Sequence, residues 1–224
     1  MEEFAITGTT PQTGLPLNWN IAPTNPIYIV RGVQPDLAIV SWGLIGPWLT
    51  DLKEAKDSQS RAINARSESI HEKPTFRNAF RSTRCLIPAA GYYEWATALG
   101  RYSPKQPFYI SARAGQQLPI AGIWSSWTAP TGETIETAAI ITQQAQGELA
   151  TIHSRMPVFM SSDRWELWLD PRNTNTAQLQ SLMVVKDPDL LVIARPVSNA
   201  VNKVSNNGKE LTIEIPLGAP ETLF

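Results

Sequence analysis

Four short segments of this sequence place polar side chains where a core-building pattern does not call for them. In Ile63-Asn64-Ala65-Arg66-Ser67-Glu68, Asn64 and Arg66 stand two apart. On extended backbone such a pair projects to one face, so an amide and a planar guanidinium are offered together to a phosphate or a sugar. A turn asparagine beside a surface arginine would look the same. In Gly91-Tyr92-Tyr93-Glu94-Trp95 a carboxyl interrupts a run of aromatic rings. Desolvation there favours the neutral acid and raises its pKa, as general acid/base chemistry requires. A strand glutamate facing solvent is the alternative. In Ile152-His153-Ser154-Arg155-Met156-Pro157 a histidine sits among small polar residues at a loop, where a hydrogen-bonded structural role competes with a catalytic one. The fourth feature is the set of eight tryptophans. Trp48 follows Gly46-Pro47 in what reads as an exposed loop, and rings beside positive charge suit stacking against unpaired bases. Trp124, Trp127 and Trp168 read as core.

The positive charge is local. Between positions 61 and 84 lie Arg61, Arg66, Lys73, Arg77, Arg81 and Arg84 against only Glu68 and Glu72, a surplus of four in a chain of net charge -1. The protein is therefore no polycation, and any nucleic-acid contact must rest on that patch. A solvated helical face would carry the same charges.

The elements that must position these groups are mostly short strands. Runs rich in Ile, Val, Tyr and Trp predict strands over 27–31, 37–42, 84–87, 92–96, 108–112, 119–124 and 137–142, with Gly or Pro in most connections. A helix capped by Ser161 or Ser162 runs through Leu169, a second covers 176–183, and 190–197 reads as a further buried strand. Strands among occasional helices, without regular βαβ alternation, predict an α+β fold: a mainly antiparallel, barrel-like β core with flanking helices. The 104–107 stretch is a loop and no domain boundary.

Composition excludes several classes. Apolar residues at 42% and charged residues at 17% are too apolar for disorder. No apolar run approaches the roughly 20 residues of a membrane span, and the acidic start Met1-Glu2-Glu3-Phe4 is no signal peptide. A single cysteine, Cys85, permits no internal disulfide and fits a reducing cytoplasm. With two histidines beside it a zinc site is not expected, and no cofactor is. No Gly-x-Ser-x-Gly elbow points to a serine hydrolase.

Taken in order, these segments do more than they do singly. Asn20-Ile21-Ala22-Pro23-Thr24, Ser41-Trp42-Gly43-Leu44-Ile45, Asn64-Ala65-Arg66-Ser67-Glu68, Arg84-Cys85-Leu86-Ile87-Pro88-Ala89, Gly91-Tyr92-Tyr93-Glu94-Trp95, Gly122-Ile123-Trp124, His153-Ser154-Arg155-Met156-Pro157 and Pro196-Val197-Ser198 are all present. The series resembles the SOS-response-associated peptidase (SRAP) family over positions 18–212. The resemblance implies recognition of an abasic site in single-stranded DNA, typically at a junction with duplex. In that family the second residue is a Cys, exposed once the initiator Met is removed. Its α-amine attacks the ring-opened sugar aldehyde and its thiol closes a thiazolidine, which shields the lesion as a covalent crosslink. With an α-amine pKa of about 7.7–8, a useful fraction is a neutral nucleophile at cellular pH.

Residue by residue, the resemblance makes Asn64 the group that orients the N-terminal residue and the sugar. It makes Glu94 the proton shuttle and His153 an assistant at the sugar oxygen. Arg66 and Arg155 become phosphate contacts with Arg77 beside them, and Pro23, Trp48 and Trp95 shape the pocket and support the splayed strand. All three catalytic candidates are expected to line one cleft. The departure is at the start, which reads Met1-Glu2-Glu3-Phe4 where the family has Met-Cys-Gly-Arg. We expect a single domain over 1–224 that lacks the family's nucleophile-bearing segment, beginning at an internal Met with the close of an amphipathic helix. A paralogue that has lost the nucleophile, and only binds single-stranded or junction DNA, is the alternative. As given, the chain is expected to be inactive in crosslinking. Cys85 reads as a buried small hydrophobe that cannot substitute. A monomer in the cytoplasm, associated with the nucleoid when on DNA, completes the expectation.

Overall fold

A computed structural model describes residues 2–97 and 102–217, with Met1 outside them. In chain order the elements are β1 (Pro26–Arg31), β2 (Asp36–Trp42), α1 (Leu52–Arg61), β3 (Asn64–Arg66), α2 (Arg77–Ser82), β4 (Arg84–Ala89), β5 (Gly91–Trp95), β6 (Pro107–Ala112), β7 (Leu118–Thr128), β8 (Thr134–Gln144), β9 (Arg155–Pro157), α3 (Trp165–Leu169), α4 (Thr176–Leu182), α5 (Pro188–Leu191) and β10 (Val192–Pro196). Every predicted strand over 27–142 is present. β7 and β8 run longer than their apolar cores, because a turn at Gly132, with φ near 87°, lets the hairpin continue outward.

Five strands close a barrel in the order β2-β1-β4-β7-β8, and β8 returns to β2. Four of its seams are antiparallel. The closing one is parallel, with Ser41 opposite Thr137 and Trp42 opposite Ala138, so the barrel is mixed. β8 pairs only with the last two residues of β2, and the chain exits at Gly43. There φ is near 110°, and a Cβ would collide with the Gln59 carbonyl oxygen. That exit frees the upper half of β8 for two further partners. β3 joins it in parallel, Asn64 opposite Ile140 and Arg66 opposite Thr142. β9 joins it antiparallel, Arg155 opposite Gln144. A second, antiparallel sheet runs β10-β6-β5 and carries Glu94.

On the two faces of the barrel wall, Ile29, Leu86, Ile120, Ile123 and Ile141 are all essentially inaccessible. Each such side chain contributes roughly 1.5–3 kcal/mol by leaving water. Trp127 and Trp168 are buried, whereas Trp124 is half-buried beneath the Arg31 guanidinium, which lies 4.2 Å from its ring centre. The strand expected over 190–197 starts only at Val192. Pro188 opens one helical turn that ends at Leu191 and leaves Leu190 exposed. At the N-terminus Glu2–Phe4 form a 3-10 turn, and Phe4 stacks on Trp165 at 5.1 Å between ring centres.

Candidate functional site

Glu94 and His153 meet where the end of β5 crosses the loop entering β9. Two backbone bonds fix that crossing. The Thr97 N–H donates to the Ile152 carbonyl at 2.9 Å, and the Ala145 N–H donates to the Ser154 carbonyl at 3.0 Å. Glu94 Oε2 then lies 3.7 Å from His153 Nδ1, both side chains about three-quarters buried. That separation is an ion-pair distance and too long for a hydrogen bond. The Arg155 N–H donates to His153 Nδ1 at 3.1 Å, which in the neutral ring places the proton on Nε2. Burial pushes the Glu94 carboxyl above the usual carboxylate range. The His153 charge and the Trp95 N–H, which donates to Oε1 at 3.2 Å, pull it partly back. A partly desolvated carboxyl beside an imidazole can exchange protons with one bound group from two sides.

The other predicted residues fall into two sets. Arg155 is committed to the protein. Its Nη1 and Nη2 grip Glu68 Oε1 and Oε2 at 2.6 and 2.9 Å, and Nη2 also donates to the Thr142 carbonyl at 2.7 Å. The Arg155 guanidinium in turn holds the Glu68 carboxyl below its ordinary pKa. Arg155 reaches a phosphate only by releasing Glu68. Trp95 is likewise held, its indole N–H donating to Asn202 Oδ1 at 2.7 Å. Asn64, Arg66, Arg77, Pro23 and Trp48 form the second set. All are exposed, and the side chains of Asn64, Arg66 and Arg77 make no hydrogen bond or ion pair among the described residues. Asn64 sits on β3, across β8 from β9, with no hydrogen bond to Glu94 or His153 among the described residues.

Sequence reading missed several supporting residues. Buried Asn20 donates from Nδ2 to the carbonyls of Val201, Lys203 and Asn206, at 3.0, 3.2 and 3.2 Å, and so clamps the loop that carries Asn202. Its place before Ala22-Pro23 marked it as a motif, but its long-range partners had no local signal. Arg84 was counted in the basic patch and is instead buried. It donates to the carbonyls of Phe80, Arg81, Trp168, Asp170 and Asn173, which ties the end of α2 to α3. Burial brings its pKa down to about 10, offset in part by Asp170, so it stays charged near neutrality. Cys85 is fully buried in β4, and desolvation pushes its thiol pKa up.

Against known proteins, the family model described as SOS response associated peptidase (SRAP) matches residues 1–204. The abasic site processing protein YoqW of Bacillus subtilis is 36% identical over 215 residues, covering 94% of this chain and 92% of its own length. The abasic site processing protein HMCES of Gallus gallus is 30% identical over 201 residues, covering 80% of this chain and 58% of its own. A crystal structure of a protein from Bacteroides thetaiotaomicron superposes with a TM-score of 0.76 at 27% identity, over 86% of this chain and 82% of that one.

Proposed function

This chain belongs to the SOS response associated peptidase family, and from that premise we propose that it processes abasic sites in DNA, holding the lesion sugar against Glu94 and His153. The Glu94–His153 contact at 3.7 Å carries the reading. An abasic sugar is a cyclic hemiacetal that opens to an aldehyde. Opening needs a base to take the proton of the C1′ hydroxyl and an acid to protonate the ring oxygen as the bond between C1′ and that oxygen breaks. A carboxyl with a raised pKa supplies one role, and the imidazole supplies the other. Asn64 positions the sugar from β3. Arg66 and Arg77, exposed and without an ion pair among the described residues, take phosphates of the single strand or junction. Trp48, Trp95 and Pro23 support bases that leave the stack.

The family's thiazolidine needs a thiol next to an α-amine. The only cysteine in this sequence, Cys85, sits fully buried in β4 and supplies none. The 224-residue chain therefore binds abasic DNA reversibly, and a variant given a Met-Cys-Gly-Arg start forms the crosslink. The test is a pair of gels with single-stranded DNA containing one abasic site. A native gel should show a salt-sensitive complex, and a denaturing gel should show free DNA for this chain. A heat-stable shifted band from the unaltered chain, or no complex at all at low salt, would defeat the proposal.

A further inference from the structure

Beside the basic helix α2 lies a second cleft, of about 230 Å³, whose lining includes neither Glu94 nor His153. Its lining includes Pro47 and Trp48, Asn78 and Ser82 of α2, and Ser125 and Ser126 of β7. Three observations together suggest what it takes. The Trp48 ring rests on the backbone of Gly46, where a Cβ would strike Cζ2 and Cε2, yet 49% of the residue stays exposed. The ring thus packs on Gly46 and still offers accessible surface in the lining of the cleft. Ser125 is only 6% exposed, lines the cleft and makes no side-chain hydrogen bond among the described residues. Its hydroxyl is therefore available to a group that enters the cleft. Finally, the Asn78 amide, also without a partner among the described residues, adds a donor and an acceptor at the rim, between the exposed cations Arg77 and Arg81.

We propose that this cleft receives one unpaired nucleobase of the bound strand, stacked on Trp48 and read at its edge by Asn78 and Ser125. The inference rests on the DNA-binding reading above and deepens it. A cleft smaller than the roughly 300–1,000 Å³ of sites enclosing drug-sized ligands admits a single planar ring system. A π-face, a hydrogen-bonding edge and flanking positive charge match a base attached to phosphates, and match neither a lipid nor a peptide anchor. The site also lies along the strand's course. β3 with Arg66 leads through residues 67–76 into α2, which carries Arg77 and Arg81. On β8, Thr137 opposite Ser125 is five residues from Thr142 opposite Arg66, or ~17 Å at ~3.3 Å per residue. The base it holds therefore stands a few nucleotides from the lesion, at a fixed offset.

The experiment walks a base-free residue along the strand. Single-stranded oligonucleotides carry a fixed tetrahydrofuran abasic analogue and a second one at each successive position, and the affinity of the full chain is read by fluorescence anisotropy. Removal of the base at one offset should weaken binding about ten-fold, the scale of base–aromatic stacking, and the four bases there should differ. In Trp48→Ala that dip should vanish. In Asn78→Ala and Ser125→Val the differences among the four bases should vanish, because a lost group cannot be lost twice. A flat walk in the wild-type protein, or a dip and a base preference that survive all three substitutions, overturns the proposal. Tight binding with a flat walk refutes this cleft alone. No binding to any of the oligonucleotides refutes the DNA-binding reading and the cleft with it.

Discussion

The two faces of this molecule use arginine in opposite ways. Around Glu94 and His153 the guanidinium is an internal fastener. Arg155 is closed on Glu68 and Thr142, and its own N–H sets the His153 ring. Arg84 plays the same part under α2 with five carbonyl acceptors. From Arg66 to Arg81 the cations are solvated, exposed and without a protein partner among the described residues. On the first face the guanidinium groups are bonded to protein acceptors, which fixes the local geometry. The second keeps its charges available, and such a surface attracts a polyanion at some cost in self-repulsion. Net charge alone, at -1, would have hidden both.

Breaking the fasteners should hurt folding first. Arg84→Met leaves the carbonyls of Phe80, Arg81, Trp168, Asp170 and Asn173 without their donor. We expect a loss of about 3–5 kcal/mol, the range for removing one side of a buried charged network, read as a lower urea midpoint at unchanged slope. Arg155→Met should cost less, about 1–2 kcal/mol, because Glu68 is half exposed and stays solvated when abandoned. Its sharper readout is the His153 ring, whose NMR signals should move as the β9 loop relaxes.

Arg66→Ala should separate the two faces. Its stability should stay within about 0.5 kcal/mol of wild type, as for other exposed positions. Its affinity for single-stranded DNA should fall across all sequences, and the slope of log affinity against log salt should shrink by about 1. Equal binding by the variant and wild type at low salt would remove Arg66 from the interface.

The smallest effect is a pH dependence. Burial raises the Glu94 pKa in the folded chain, so the folded state keeps this proton after the unfolded chain has lost it. Stability from this group therefore falls as pH rises from the ordinary carboxylate range through the raised value. Glu94→Gln has no such fall, so its stability relative to wild type should increase across that window and level off above it. His153 opposes the trend by favouring the carboxylate. A difference between the two proteins that does not change with pH would mean Glu94 is solvated.

Much of the barrel was legible because period and composition agree. β1 and β6 are short β-branched or aromatic runs bounded by turn residues, and their pattern leaves little choice. α1 was not read. Leu-Lys-Glu-Ala-Lys-Asp-Ser-Gln-Ser-Arg buries only Ala55 and Gln59, so it has no apolar stripe, and the Asp51 cap was its only cue. β3 and β9, three residues each, are strands only because β8 offers them partners.

The sequence by itself determined which groups could do chemistry: a carboxyl among aromatic rings, a lone loop histidine, an Asn-x-Arg pair and a single cysteine in an apolar strand. Residue type and immediate neighbours carry that information, since desolvation and side-chain direction are largely local. Only the tertiary structure decided which of those groups meet and which charges remain free. Glu94 and His153 are 59 positions apart and share a site because β5 and the β9 loop cross there. Arg155 and Arg66 look alike in sequence, yet one is closed on Glu68, 87 positions away, and the other is open. Such pairings are set by how strands register across the barrel, and a partner so distant along the chain leaves no local trace.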